Sequence, residues 1–290
     1  MSEIVKTILV PTDLTENGNV AVETAASFCK SLKAKLILMH VVDLPAYPGV
    51  LLEGDIRNPG EMAIGFAQDQ LKVISSDQMF EDIEVEVCVE SGKVFQSIVK
   101  KAEKSSCDLI VMGAHGLTGL EQLLLGTNAR RVIHSTSIPV LTVKEPLYFE
   151  NIQKIAFASN FNQEYAYSFP RIYQYVEMFN PQINLVKVIT PKNFESSAFS
   201  MKTIDDFAAS VNLMDYQSHL VNAHSVPEGL AWYCANNAID LLFMPTHGQT
   251  GITRIWSGSH AEQMGQQSTV PIFSHRMIDI AKSRGVIFPD

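Results

Sequence analysis

The sequence predicts an α/β protein built from two tandem units, each a doubly wound parallel sheet with helices on both faces. Three observations carry this. Four apolar segments recur in the same order in the two halves of the 290-residue chain. These segments are short and continuously apolar, as strands buried on both faces are. Longer amphipathic stretches separate them, which is the alternation of a right-handed βαβ chain.

The repeat can be read directly. KTILVPTDLT (residues 6–15) returns as QKIAFASNFN (153–162), and AKLILMHVVDLP (34–45) as PQINLVKVITP (181–191). CDLIVMGAHG (107–116) returns as IDLLFMPTHG (239–248), and SIPVLTVK (137–144) as TVPIFSHR (269–276). In the first unit the strands are expected at 8–10, 36–39, 109–112 and 140–143. A further strand, EDIEVEV, alternates Val85 and Val87 with Glu84 and Glu86, which suits a half-exposed edge guarded by charge.

Helical spacing falls at 17–31 and 94–103, and a third helix is expected at 128–135 with Thr127 as its cap. The first unit carries about fifteen extra residues between its second and third strands, assigned to the surface loop AYPGVLLEGDIRNPGE (46–61). The connection KEPLYFENIQK (144–154) is short, so the halves should pack together. The expected domains are 1–146 and 151–277, followed by a tail at 278–290 without a repeat partner.

Composition narrows the classes of function. A chain that is 46% hydrophobic and 18% charged is globular, and its net charge of −9 offers no basic stripe for nucleic acid. No apolar stretch approaches a membrane span, and MSEIVKTILVPTD enters a strand at once, so neither membrane partner nor signal peptide is expected. Cys29, Cys88, Cys107 and Cys234 lack metal-ligand spacing and read as free thiols of a cytoplasmic protein.

The chemistry concentrates after the fourth strand, in Gly113-x2-Gly116-x9-Gly126-Thr127. Ligands in such sheets bind beyond the carboxyl ends of strands where strand order reverses. Glycines there let backbone N–H groups approach an anion, and the helix opening at Gly126-Thr127 offers more of them. Turns need glycine as well, so spacing alone leaves phosphate binding and plain turn chemistry equally open. The lysine of ESGKV (90–94) lacks the rest of a P-loop, and no G-x-G-x-x-G follows the first strand.

That spaced motif, together with VPTD (10–13) and MHVVD (39–43), resembles the universal stress protein family, in a tandem form with two such domains. The resemblance extends to about residue 276 and implies two flavodoxin-like (adenine nucleotide alpha hydrolase-like) domains, each with five parallel strands ordered 3-2-1-4-5. It implies binding of ATP, or ADP or AMP, with Mg as the accompanying ion. Carried over by position, Asp13 would meet the nucleoside, with Pro11 and Thr12 shaping its turn. Val41 would offer backbone groups to adenine, and Met112 and Gly113 would line the ribose. His115 and Gly116 would border the phosphates, held in turn by Gly126, Thr127 and Asn128. For Asp13 an Asx-turn or a helix cap is the competing reading. His115 and His247 read as polar loop residues rather than metal ligands, and Arg130 and Arg131 as a solvated helix face as readily as phosphate partners.

The second half departs from the pattern. Asn160 replaces the aspartate, Pro245 the first glycine, and Lys187 stands where His40 does. Its possible site comprises Asn160, Val188, His247, Gly248, Gly258 and Ser259. Proline removes a donor and fixes φ, so a weaker, altered or lost site is expected. The family's final strands mediate dimerisation, which implies an internal pseudo-dimer of the two halves or a homodimer. The expected role is regulation or stress tolerance through a bound adenine nucleotide. No evident base or magnesium carboxylate set accompanies the motif, so slow ATP hydrolysis is the most turnover expected. A scaffold that binds no nucleotide is the alternative.

Overall fold

The apolar runs at 8–10, 36–39, 109–112 and 140–143 all form strands. A computed structural model describes residues 4–43, 59–114, 126–246 and 270–276. Strand β1 (Thr7–Pro11) leads through helix α1 (Glu16–Leu32) to β2 (Lys35–Val42), and α2 (Pro59–Ser75) leads to β3 (Val85–Ser91). Helix α3 (Val94–Lys104) precedes β4 (Leu109–Gly113), and α4 (Thr127–Ser135) precedes β5 (Val140–Val143). The second half repeats the order: β6 (Lys154–Ala158), α5 (Gln163–Glu177), β7 (Gln182–Ile189), α6 (Ser197–Ser210), β8 (Gln217–Asn222), α7 (Val226–Asn236), β9 (Leu241–Thr246) and β10 (Ile272–Arg276).

The strands form one ten-stranded sheet in the order β3-β2-β1-β4-β5-β10-β9-β6-β7-β8. Each half is parallel within itself and follows the expected 3-2-1-4-5 order. The halves meet through β5 and β10, which pair antiparallel with Leu141 opposite Phe273. At the outer edge of the first half, Lys35 bridges Glu84 and Glu86 at 3.2 and 2.9 Å, and Lys101 reaches Glu86 at 2.7 Å. These charges blunt the β3 edge against further strand pairing.

Besides shifted ends, such as α1 at Glu16–Leu32, β2 at Lys35–Val42 and β3 at Val85–Ser91, two boundaries change an assignment of the sequence reading. Pro59, Gly60 and Glu61, assigned to the surface loop, form the first turn of α2, because proline fits a first helical turn where its missing N–H costs nothing. Helix α4 starts at Thr127, one residue early, with Gly126 as its N-cap. The Gly126 carbonyl already accepts the first intrahelical bond, from Arg130 N at 3.0 Å, so the extended backbone of Gly126 takes the cap position expected for Thr127.

The core is continuous on one face of the sheet. There Ala21, Phe28 and Leu71 of α1 and α2 share a cluster with Phe169, Ile172 and Phe207 of α5 and α6. On the opposite face α3 and α4 cover the first half and α7 the second, as separate clusters. Phe28, wholly buried, meets Phe149 edge-on at 5.3 Å and Phe179 at 5.9 Å, and Phe243 stacks on Phe273 at 4.3 Å. The short connection is stitched to α1: Leu147 N donates to Thr24 Oγ1 and Phe149 N to Ser27 Oγ, both at 3.0 Å, and Tyr148 hydrogen-bonds Glu23.

Two outcomes follow from this core. Both tryptophans, Trp232 and Trp256, belong to the second half, so their fluorescence reports its unfolding. Phe28→Ala, in the first half, should cost about 3–5 kcal/mol and lower the tryptophan-detected urea midpoint together with the circular-dichroism midpoint. An unmoved tryptophan transition would mean that the halves unfold independently.

The second concerns His275, where the first repeat carries Val143. His275 is buried in β10, and burial, aided by Arg171, pushes its imidazole down to about 4 from 6.5. The unfolded chain accepts a proton near 6.5 that the folded chain resists, so stability present above that pH is lost as pH falls toward 4. By pH 5 the loss from this group is about 2 kcal/mol. His275→Val should reduce the stability difference between pH 7 and pH 5, measured by urea denaturation, by about that amount. An equal decline in both proteins would remove His275 as its source.

Candidate functional site

Alternate residues of a parallel strand direct their backbone groups to opposite neighbours. Strand β1 stops at Pro11, level with Met39, and Thr12 N then donates to Met39 O at 2.8 Å. Strand β2 continues to Val42 beside β3, and the Val42 carbonyl accepts from Gly92 N at 3.1 Å on that side. The Val41 carbonyl and the Asp43 amide therefore face the β1 side, beyond the point where β1 has left. The side chain of Val41 is buried in the α3–α4 face with that of Met112, so the backbone is what Val41 presents at this edge.

The turn after β1 is closed by its own side chains. Thr12 Oγ1 accepts from Leu14 N at 3.0 Å, and Asp13 Oδ1 accepts from Thr15 N at 3.1 Å and from the Thr15 hydroxyl at 2.6 Å. Leu14 takes a left-handed φ of 63° to allow this. Thr15 Oγ1 in turn caps α1 by accepting from Gly18 N at 3.3 Å. The Asx-turn alternative for Asp13 is thus realised, and it fixes the carboxylate at the carboxyl end of β1. His40 Nδ1 donates to the Thr12 carbonyl at 2.8 Å and ties the turn to β2.

Strand β4 runs beside β1, with Ile8 opposite Leu109 and Leu9 opposite Ile110. The same register sets Thr12 level with Gly113, at the point where chain order reverses. Ile110 N addresses β5 through Pro139 O, and Ala114 N does so through Val143 O. By alternation the Gly113 N–H faces the β1 side. The Gly126 N–H donates to Ala114 O at 2.7 Å, so the segment between them begins and ends at one place. That bond occupies a donor assigned above to phosphate. The N–H groups of Thr127, Asn128 and Ala129 open α4, whose Gly126 cap makes no side-chain bond, and the Thr127 and Asn128 side chains are exposed. Lys144, next to Val143, is half-buried, and burial lowers its pKa against the opposing effect of Glu145. His115 and Gly116 lie outside the described residues.

The second half reproduces the turn with different groups. Phe161 N donates to Ser159 Oγ at 3.1 Å and Asn162 N to Asn160 Oδ1 at 3.3 Å, with Phe161 at φ 56°. Ser159 N reaches Val186 O at 3.3 Å, as Thr12 reaches Met39. Pro245 lies in β9 opposite His275, and where Gly113 turns an N–H toward the β1 side it has none to offer β6. The Val188 carbonyl accepts from Asn193 Nδ2 at 3.2 Å. Lys187, buried, pairs with Glu195 at 2.7 Å, and this bond together with the Ser200 hydroxyl holds the Glu195 carboxyl below its usual range. His247, Gly248, Gly258 and Ser259 lie outside the described residues.

Sequence reasoning missed Thr15, Gly18 and Asn193. The motif S/T-x-x-G at 15–18 could have signalled the α1 cap, but only the geometry shows why glycine stands there. A Cβ on Gly18 would lie 2.6 Å from both Asp13 Oδ1 and Thr12 Oγ1. Gly18→Ala should therefore displace the turn and destabilise the protein by about 1–3 kcal/mol, against the usual stabilising effect of alanine in a helix. Urea denaturation decides the sign, and a more stable Gly18→Ala protein would show that the turn yields freely.

A model of the universal stress protein family matches residues 5–144. The universal stress protein MJ0531 of Methanocaldococcus jannaschii is 37% identical over 143 residues, covering 49% of this chain and 83% of that protein. The universal stress protein MJ0577 of the same organism is 32% identical over 162 residues, covering 50% and 98%. Among solved structures, a universal stress protein from Archaeoglobus fulgidus matches 94% of this chain and 97% of its own, with a TM-score of 0.69 at 19% identity, which extends the shared fold across both halves. The chain belongs to the universal stress protein family.

Proposed function

We propose that the first half, residues 1–146, binds ATP or a related adenine nucleotide at the carboxyl ends of β1, β2 and β4, and that binding serves a regulatory or stress-tolerance role. The observation that carries this reading is the switch point between β1 and β4. There the Val41 carbonyl and Asp43 amide, the Asp13 turn, the Gly113 N–H and the opening N–H groups of α4 border one edge. Backbone donors and a helix N-terminus suit phosphate, and a strand edge suits a base. These groups fit the nucleotide. Magnesium, where present, would be held chiefly by the phosphates, since Asp13 Oδ1 is engaged by Thr15.

In this reading residues 151–277 form a second domain, residues 278–290 a tail, and the two domains act as an internal pseudo-dimer. The antiparallel β5–β10 pairing and the shared core supply its support. The same features favour the second reading, a scaffold without nucleotide. Four free thiols among the described residues suit a reducing cytoplasm.

Small molecules released from the purified full chain should include an adenine nucleotide by mass spectrometry. In calorimetry, Asp13→Ala should weaken ATP binding at least about tenfold, whereas Lys202→Ala, on the exposed face of α6, should leave it unchanged. No released nucleotide and no melting shift with millimolar ATP would sink the nucleotide reading and favour the scaffold.

A further inference from the structure

The two halves answer the same backbone problem differently. Strand β6 ends at Ala158, and Ser159 N takes the Val186 carbonyl. Strand β7 runs on to Ile189, whose carbonyl addresses β8 through Ala223 N at 3.1 Å. The Val188 carbonyl and the Thr190 amide therefore face the side that β6 has vacated, as the Val41 carbonyl and Asp43 amide do in the first half.

Both second-half groups are bound by one side chain. Asn193 Nδ2 donates to Val188 O at 3.2 Å, while Asn193 Oδ1 accepts from Thr190 N at 2.6 Å and also from the Thr190 hydroxyl. A carboxamide offers a donor and an acceptor side by side. The amino-pyrimidine edge of adenine offers the same pair, an exocyclic N–H beside a ring nitrogen, which is why carboxamides and adenine edges interchange as hydrogen-bonding partners. By sequence count, the first-half counterpart of Asn193 is Ala46, which has no side-chain donor or acceptor.

The segment carrying Asn193 is anchored on both sides. Asn193 N donates to Thr190 O at 3.1 Å, closing the turn before it. After it, Glu195 joins buried Lys187 at 2.7 Å and Ser200 at 2.9 Å, and Ser196 caps α6. Asn193 thus lies two residues from an ion pair whose ammonium is buried and whose carboxylate is half-buried.

We infer that Asn193 is an intramolecular stand-in for the nucleobase edge, which closes the second base position and limits the chain to one adenine nucleotide, in the first half. The inference rests on the reading that adenine lies against the Val41 edge of β2.

The test is photolabelling of the full chain with 2-azido-ATP followed by peptide mapping, beside equilibrium dialysis with ATP. Wild type should bind about one ATP per chain and carry label only in first-half peptides. Asn193→Ala should raise second-half label at least about tenfold, since it removes a competitor that keeps the open state scarce. Asn193→Asp keeps an acceptor for Thr190 N and loses the donor to Val188 O. It should gain second-half label as well, and its loss of one hydrogen bond only guards against a misfolded alanine variant. Equal labelling of both halves in wild type overturns the inference, as does first-half-only labelling in both variants. Wild type without first-half label overturns the nucleotide reading itself, and this inference with it.

Discussion

A parallel strand that outlasts its neighbour is left with carbonyl and amide groups that must find another partner. Strand β2 outlasts β1 beyond Met39, and β7 outlasts β6 beyond Val186. The carboxyl edge of this protein is organised around those groups. Thr12 and Ser159 each give one N–H to the longer strand and then turn away through a left-handed residue. What remains beyond them is a short stretch of strand edge. In the second half it is filled by a side chain of the same chain, and in the first half it borders the Asp13 turn and the α4 opening.

How much of this the sequence reveals depends on whether an element acts through its own pattern or through a distant partner. The strands are legible because burial on both faces demands unbroken apolar runs, as in Leu36 to Met39 and Leu109 to Met112. The β3 edge is legible because its glutamates alternate with valines. The start of α2 is not, since Pro59 carries the same signature in a loop and in a first helical turn. Gly18 looks like a weak helix residue until the folded-back side chains of Thr12 and Asp13 are seen to occupy the space of its missing Cβ. Asn193 lies in a short polar connection, and nothing local indicates that its partners are Val188 O and Thr190 N.

The junction explains why the two edges were free to differ. Antiparallel pairing of β5 with β10 joins the sheets, and the α1, α2, α5 and α6 face shares one core. The second half is therefore held in the molecule by surfaces remote from its own carboxyl edge. On the other face, where α3, α4 and α7 pack, the clusters stay separate, so changes around Val188 need not propagate to Val41.

Lys187 connects the altered chemistry to the closed edge. His40, its counterpart, spends one ring nitrogen on the Thr12 carbonyl. An ammonium buried at that position needs an acceptor, because an unpaired buried charge is far costlier than an exposed one. Glu195 is that acceptor, and pairing with it fixes the chain between Ile189 and Ser196 at the end of β7. Asn193 sits within this fixed stretch, so part of the ordering entropy of its three side-chain hydrogen bonds is already met by the ion pair. The half-buried Lys187–Glu195 pair thereby does more to define this edge than to stabilise the fold, a role in which ion pairs of modest net energy are effective.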